Sequence, residues 1–158
     1  MKFVYEDILR FLVEKPSKAD LSKTLFQLGH EHELEGNIFD MEFTPNRGDC
    51  LSLLGIARDL NYFYKTNSKL DTYDRELKDL KLDFINKSPN VCPKISFLEI
   101  EISDLPNEYK DYMENYFIKL KLSKNNFFTD ISNYISYELG QPTHCFDREK
   151  IRDPIIFE

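Results

Sequence analysis

The residues best suited to chemistry in this 158-residue chain are Asn133 and His144, which lie in one stretch near its C-terminal end. A helical pattern that carries Asn133 runs directly into Gly140, Gln141 and Pro142, and His144 follows two residues later. A histidine can accept or donate a proton, bind a metal or orient a water molecule near neutral pH. It can equally be hydrogen-bonded inside a turn, and no neighbouring residues have the spacing of metal ligands. The spacing alone favours the structural interpretation of His144.

The sequence around this turn predicts a rigid backbone. Asp130 is suited to cap a helix, Gly140 can adopt the left-handed conformation that ends one, and Pro142 prevents the helix from resuming. The apolar side of this helix consists of Ile131, Tyr134, Ile135 and Leu139. We therefore expect the backbone that carries His144 to be well defined.

Composition and charge limit the classes of function. The chain is 41% hydrophobic and 14% aromatic, which is enough to bury a core, and its formal net charge is −7. Because nucleic-acid affinity comes largely from basic side chains, an acidic chain without a basic block is a poor RNA binder by itself. Charged residues interrupt the first apolar pattern, and no other apolar run is long enough to span a membrane. We expect a soluble, cytoplasmic protein that does not bind membranes.

The cysteines and glycines indicate no metal or nucleotide site. Cys50, Cys92 and Cys145 are odd in number and widely spaced, which predicts neither a disulfide framework nor a Cys-x-x-Cys metal site. The five glycines form no glycine-rich phosphate loop. We therefore expect this sequence to bind no metal and no cofactor.

The first half of the chain predicts a helix pair, a strand and a third helix. Apolar residues recur at helical spacing from Tyr5, and Ser17 is suited to cap a second helix that ends at Gly29. Residues 38–43 alternate between apolar and polar and predict a strand with one exposed face. Asp49 is placed to cap the next helix, which has a single apolar stripe.

The second half predicts two more helices between two strands. Alternating residues at 97–102 predict a strand, and a helical stripe at 109–116 follows it. The polar stretch 121–126 breaks that helix before the one that leads to His144. Residues 155–157 predict one final strand.

The predicted fold class is α+β, with a small helix-pair, strand and helix module followed by the first part of a second α+β domain. A polar stretch divides the chain into residues 1–70, a linker at 71–91 that adds a short strand, and residues 92–158. A strand, two helices and a final strand cannot wrap a core unless further strands cover the sheet. We therefore expect an incomplete second domain, either in the front portion of a longer polypeptide or in a naturally shortened relative of one.

Two motifs resemble the beta subunit of bacterial phenylalanyl-tRNA synthetase. Residues 130–147 are similar to its signature Asp-x-Thr-Asn-Tyr-x-x-x-Glu-x-Gly-Gln-Pro-x-His-x-Phe-Asp, and residues 42–52 to Glu-x-Thr-Pro-Asn-Arg-x-Asp-Cys-Leu-Ser. Residues 1–29 resemble the N-terminus of the family, so the resemblance spans nearly the whole chain in the same order. For the motif at 42–52 we expect a structural role, in which Asn46 and Arg47 hydrogen-bond the turn.

The resemblance implies a first module of the B1 type and a second module that begins the B3/4 editing domain, which hydrolyses tyrosine wrongly attached to the phenylalanine tRNA. Such a site is needed because a hydrophobic pocket cannot strongly reject a substrate that merely adds a hydroxyl. By resemblance, Ser132 and Asn133 bind the substrate, and His144 is the catalytic residue that orients or activates water without acting as a nucleophile. The alternative for Ser132 is a hydroxyl bonded back to the helix backbone.

The resemblance also implies partners. In the family, the beta subunit pairs with an alpha subunit in an (αβ)2 enzyme that attaches phenylalanine to tRNA(Phe) with ATP and Mg²⁺. ATP and Mg²⁺ are therefore expected only in the complete enzyme, and tRNA is expected to bind mainly to other parts. The alternatives are a free-standing B3/4-like protein that binds an amino acid or edits in trans, and a non-catalytic interaction module.

The chain departs from the family pattern at several places. Only residues 30–37 stand where the family inserts a tRNA-binding OB-fold domain. Ser132 replaces the usual threonine, and residues 121–123 replace the Gly-Ile-Arg of many relatives. The family's residue that recognises the tyrosine hydroxyl is expected beyond Glu158. These departures predict an editing pocket that is incomplete in this chain and weakened even in the full protein.

Overall fold

The computed structural model describes residues 1–67, 79–152 and 154–158 and has two compact units. One unit comprises Met1–Leu70 and Pro106–His144, and the other comprises Asp71–Leu105 and Cys145–Glu158. The mixture of helices with antiparallel and parallel strands confirms the predicted α+β class.

The predicted domain division remains a prediction, and its boundary at residue 70 and the first part of the linker lie outside the described residues. Among the described helices, none combines the length and the apolar character that crossing a membrane requires.

A three-stranded antiparallel sheet forms one side of the first unit. Its strands in spatial order are β1 (Lys2–Val4), β3 (Ile38–Glu42) and β2 (Glu31–Glu35). The predicted central strand is confirmed, because Phe39 and Met41 are buried and point to the core. The two outer strands were not predicted, since β1 is too short to show a period and β2 carries three exposed glutamates. Such charges protect an edge strand from pairing with other chains.

Three helices from the first half share one hydrophobic core with this sheet. They are α1 (Tyr5–Arg10), α2 (Lys18–Gln27) and α3 (Leu53–Phe63). Ser17 caps α2 as predicted, and its hydroxyl accepts a hydrogen bond from the Asp20 amide at 3.2 Å. The prediction that Asp49 caps α3 is wrong: Asp49 lies in a 3₁₀ turn, and Ser52 caps the helix through a 3.0 Å hydrogen bond from the Gly55 amide.

Two helices from the second half complete the first unit. Helix α4 (Asp111–Leu120) and helix α5 (Phe127–Leu139) are separated by the predicted polar break. The prediction that Asp130 caps α5 is wrong, because Asn126 accepts a hydrogen bond from the Thr129 amide at 3.1 Å and the helix begins one residue later. Asp130 instead lies in the first turn and is fully buried.

The core of the first unit joins residues that are far apart in the chain. Tyr137 of α5 stacks on Phe3 of β1 with 5.8 Å between ring centroids, and it also contacts Tyr116 of α4 at 4.6 Å. The other fully buried side chains of this core include Ile8, Leu21, Leu25, Phe39, Met41, Leu53, Ile56 and Leu60. Helices α4 and α5 therefore share one hydrophobic core with residues from the first half of the chain.

The second unit contains two short parallel strands, β4 (Phe84–Asn86) and β5 (Ile155–Phe157). They confirm the predicted short strand of the linker and the predicted final strand. The strand predicted at 97–102 is wrong, since that stretch has no regular secondary structure and Leu98 and Ile100 are two-thirds exposed. An alternating pattern forms a strand only when a neighbouring strand accepts its backbone hydrogen bonds.

Candidate functional site

The three predicted site residues lie in the middle of α5 and in the segment after it. Ser132 is half-buried on α5, Asn133 is exposed on the same helix, and His144 is exposed beyond its end. Consecutive helical residues point about 100° apart, so Ser132 and Asn133 face different directions. Among the described residues, no hydrogen bond or ion pair joins Asn133 to His144. Their assignment as a substrate and catalytic set remains a prediction.

A buried carboxylate holds the start of α5. Asp130 accepts a hydrogen bond from the Tyr109 hydroxyl at 2.7 Å and another from the Asn125 amide at 3.0 Å. Burial and the hydrogen bond to Asp130 raise the pKa of Tyr109 to about 12, so that its hydroxyl remains a donor at neutral pH. The loop before α5 is thereby tied to the first turn of the helix.

Two tyrosines attach the middle of α5 to α1. The Tyr134 hydroxyl accepts a hydrogen bond from Arg10 at 3.0 Å and donates one to Glu138 at 2.8 Å. One turn further, the Tyr137 hydroxyl lies 3.3 Å from the Asp7 carboxylate. Burial raises the pKa of Asp7, and it also raises the pKa of Tyr137. These contacts fix the rotation of α5 and thus which of its residues face solvent.

The end of α5 has the conformation that the sequence predicts. Gly140 has a φ of +73° and ends the helix, and the Ser136 hydroxyl donates to the Gln141 carbonyl at 3.2 Å. A Cβ placed on Gly140 would lie 3.0 Å from the hydroxyl of Ser52, which caps α3. The segment that carries His144 therefore starts from a turn packed closely against another helix.

We expect Gly140→Ala to lower the free energy of unfolding by about 2 kcal/mol, because it combines a left-handed backbone with a tight contact to Ser52. Gly36→Ala is the matched control, since Gly36 has a φ of +62° and open space around its Cβ position. We expect this control to cost about 1 kcal/mol. Urea unfolding of both variants measures the difference. Equal losses of unfolding free energy would show that the close approach to Ser52 does not destabilise Gly140→Ala.

A second group of polar residues surrounds Asp59 of α3. Its carboxylate accepts hydrogen bonds from Arg47, from Arg58 at 3.1 Å and from His30, whose Nε2 lies 3.2 Å away. Burial raises the pKa of Asp59, but these hydrogen bonds outweigh it, so the net pKa lies below the ordinary value. Arg47 thus connects the turn after β3 to α3, a structural contact that extends beyond the hydrogen bonding within the turn that the sequence predicts.

Three atoms of this group could in principle bind a metal. Nε2 of His30, Sγ of Cys50 and a carboxylate oxygen of Asp59 all lie within 4.8 Å of one another, and zinc accepts each of these ligand types. However, the Arg47 guanidinium lies 2.7 Å from Sγ and also contacts Asp59, so it supplies the positive charge at this position. Burial and the charge of Asp59 raise the pKa of Cys50 to about 12 and keep the thiol protonated. The described residues of this group form an ion-pair network. Sequence spacing did not reveal it, because His30 and Asp59 are 29 positions apart.

The chain is similar in sequence to known proteins. Residues 92–158 match the family model of the B3/4 domain. The chain is 30% identical over 148 residues to the phenylalanine–tRNA ligase beta subunit of Blochmanniella floridana, covering 92% of this chain and 18% of that subunit. It is 27% identical over 153 residues to the same subunit of Haemophilus influenzae, covering 95% of this chain and 18% of that subunit. The chain is similar in sequence to beta subunits of phenylalanine–tRNA ligase over 92% of its length.

The chain thus spans about one fifth of the length of these beta subunits. Its B3/4 segment, residues 92–158, contains α4, α5 and all three predicted site residues. In the structure, α4 and α5 pack with the residues that precede the B3/4 segment, while β4 and β5 belong to the second unit. The support of α5 by Asp7, Arg10 and Ser52 was not visible in the sequence, because these contacts join positions more than 80 residues apart.

Proposed function

We propose that this chain forms part of a phenylalanine–tRNA ligase beta subunit and that α5, with the segment to His144, forms one wall of a pocket that hydrolyses mischarged tyrosyl-tRNA(Phe). The observation that carries the proposal is the similarity to beta subunits over 92% of the chain. The B3/4 match supports it further, because it includes Ser132, Asn133 and His144.

The chemistry of the exposed side chains is compatible with this role. An imidazole at His144 can hydrogen-bond a water molecule and either orient it or accept its proton as it attacks an ester. The amide of Asn133 can both donate and accept hydrogen bonds to the polar atoms of an aminoacyl ester. Since Gly140 packs against Ser52 and the tyrosines fix α5, these side chains extend from a backbone with little freedom.

The proposal extends to partners and cofactors of the complete enzyme. The alpha subunit is the proposed partner in an (αβ)2 complex, which uses ATP and Mg²⁺ to attach phenylalanine to tRNA. The net charge of −7 supports tRNA contacts mainly in other parts of that complex. In this proposal the chain itself contributes subunit structure and part of the hydrolytic pocket.

The test is hydrolysis of tyrosyl-tRNA(Phe) by the complete enzyme with and without His144→Ala. We expect the variant to hydrolyse the ester about 100-fold more slowly, which is within the usual contribution of one acid–base residue. Attachment of phenylalanine should remain unchanged, because in this proposal the synthetic site belongs to the alpha subunit and His144 does not. His32→Ala is the matched histidine control, and we expect it to leave hydrolysis unchanged.

Unchanged hydrolysis in His144→Ala would remove this residue from the proposed mechanism. Binding to the alpha subunit tests the wider proposal separately. If the chain elutes from gel filtration independently of an added alpha subunit yet hydrolyses tyrosyl-tRNA, a free-standing editing protein is the better description. If it binds the alpha subunit and no variant changes hydrolysis, the chain is a non-catalytic interaction module.

A further inference from the structure

The second unit contains an open cleft at one edge of its parallel strands. Because β4 and β5 are parallel, the residues just before each strand meet at the same edge, where the Ile155 amide donates to the Asp83 carbonyl at 2.9 Å. A cavity of about 510 Å³ lies there, and among the described residues its lining consists of residues 80–83, Arg148, Ile151, Arg152 and Pro154. This volume is within the range of small-molecule sites.

The charge of this cleft is opposite to that of the chain. Lys81, Arg148 and Arg152 line it together with a single carboxylate of the described residues, Asp83, although the whole chain has a net charge of −7. Lys81 and Arg152 form no ion pair or hydrogen bond with any residue within the described ranges. Arg148 has one loose contact, in which its Nε lies 3.9 Å from Glu99. Among the described residues, little of this positive charge is therefore paired.

We propose that this cleft binds a phosphate ester. Two arginines and a lysine around one concavity can neutralise a doubly charged phosphate, and the planar guanidinium presents paired donors that match its oxygens. Leu80, Leu82 and Ile151 also line the cleft, so an organic group attached to the phosphate can pack beside them. The cleft has no role in the proposed hydrolytic mechanism. Binding of a phosphate ester in the cleft therefore does not depend on that mechanism.

The phosphate ester could belong to a free nucleotide or to the backbone of a nucleic acid, and titration calorimetry distinguishes these sources. The probes are AMP, adenosine and a short single-stranded oligoadenylate without a terminal phosphate. AMP binding with no binding of adenosine shows that the phosphate is recognised. Tighter binding of the oligonucleotide than of AMP assigns the site to a phosphodiester, and the reverse order assigns it to a terminal phosphate. Binding should weaken with added salt, because the charges are exposed.

Variants of the residues that line the cleft test whether the phosphate ester binds there. We expect Arg148→Ala combined with Arg152→Ala to weaken phosphate-ester binding at least 10-fold, and Asp83→Asn to strengthen it several-fold by removing a like charge. Lys87→Ala is the matched control, since Lys87 lies in the same unit and pairs with Glu158 at 2.8 Å. Equal affinity for AMP and adenosine, or wild-type affinity in both cleft variants, would overturn the proposal. If the double variant unfolds, the higher affinity expected for Asp83→Asn still tests whether the phosphate ester binds in this cleft.

Discussion

Replacing Tyr137 with alanine is expected to lower the free energy of unfolding by about 3–5 kcal/mol, the largest effect that we expect for a single side chain. Tyr137 is 5% exposed, and its ring stacks on Phe3 at 5.8 Å between centroids. Its hydroxyl also accepts a hydrogen bond from the Val4 amide at 3.3 Å. The substitution removes the packing that joins α5 to β1 and leaves the Val4 amide and the Asp7 carboxylate without this partner. Chemical denaturation monitored by circular dichroism measures the loss.

Two further tyrosine variants separate packing from hydrogen bonding. Tyr137→Phe keeps the ring and should cost only about 1–2 kcal/mol, the usual value for a buried hydrogen bond. Tyr62→Ala is the matched control on the surface, because Tyr62 is 84% exposed, and its effect should stay below about 0.5 kcal/mol. If Tyr137→Ala and Tyr62→Ala had the same effect, α5 would not share a core with the first half of the chain.

The second large effect is expected at Asp59. We predict that Asp59→Ala lowers the free energy of unfolding by about 2–4 kcal/mol, because it leaves Arg47 and the buried His30 without their common acceptor. Asp40→Ala is the matched control, since Asp40 forms two exposed ion pairs at 3.6 Å, which contribute about 1 kcal/mol or less. Similar losses in the two variants would contradict a special role for Asp59.

The pH dependence of unfolding gives Asp59 an independent signature. Its carboxyl has a folded-state pKa below the unfolded value of about 3.9, so the unfolded chain binds the proton more tightly. The stabilisation is therefore complete well above pH 4 and is lost as the pH falls through the folded-state pKa. In that acidic range, the free energy of unfolding of Asp59→Ala should fall less steeply with decreasing pH than that of the wild-type protein. The pH dependence of the exposed Asp40→Ala control should be closer to that of the wild-type protein.

Local sequence determined those features of this protein that depend on neighbouring residues. The alternation of residues 38–43 predicted strand β3, and Gly140 followed by Pro142 predicted the end of α5. Both predictions are confirmed because they depend on only a few consecutive residues. The two-residue alternation of side chains in a strand and the left-handed conformation of glycine are local properties. The order of the two motifs likewise indicated the relationship to the beta subunits before any contact was known.

Tertiary structure alone decided which distant residues meet. Asp130 resembles a helix cap in sequence, but the Tyr109 hydroxyl and the Asn125 amide make it a buried acceptor. The alternating residues at 97–102 form no strand, because strand formation depends on a partner that periodicity does not specify. The ion-pair network at Asp59 and the packing of α5 on β1 also depend on such contacts. Local propensity is a property of neighbouring residues, whereas these contacts form only when the chain closes loops of many residues and buries a common core.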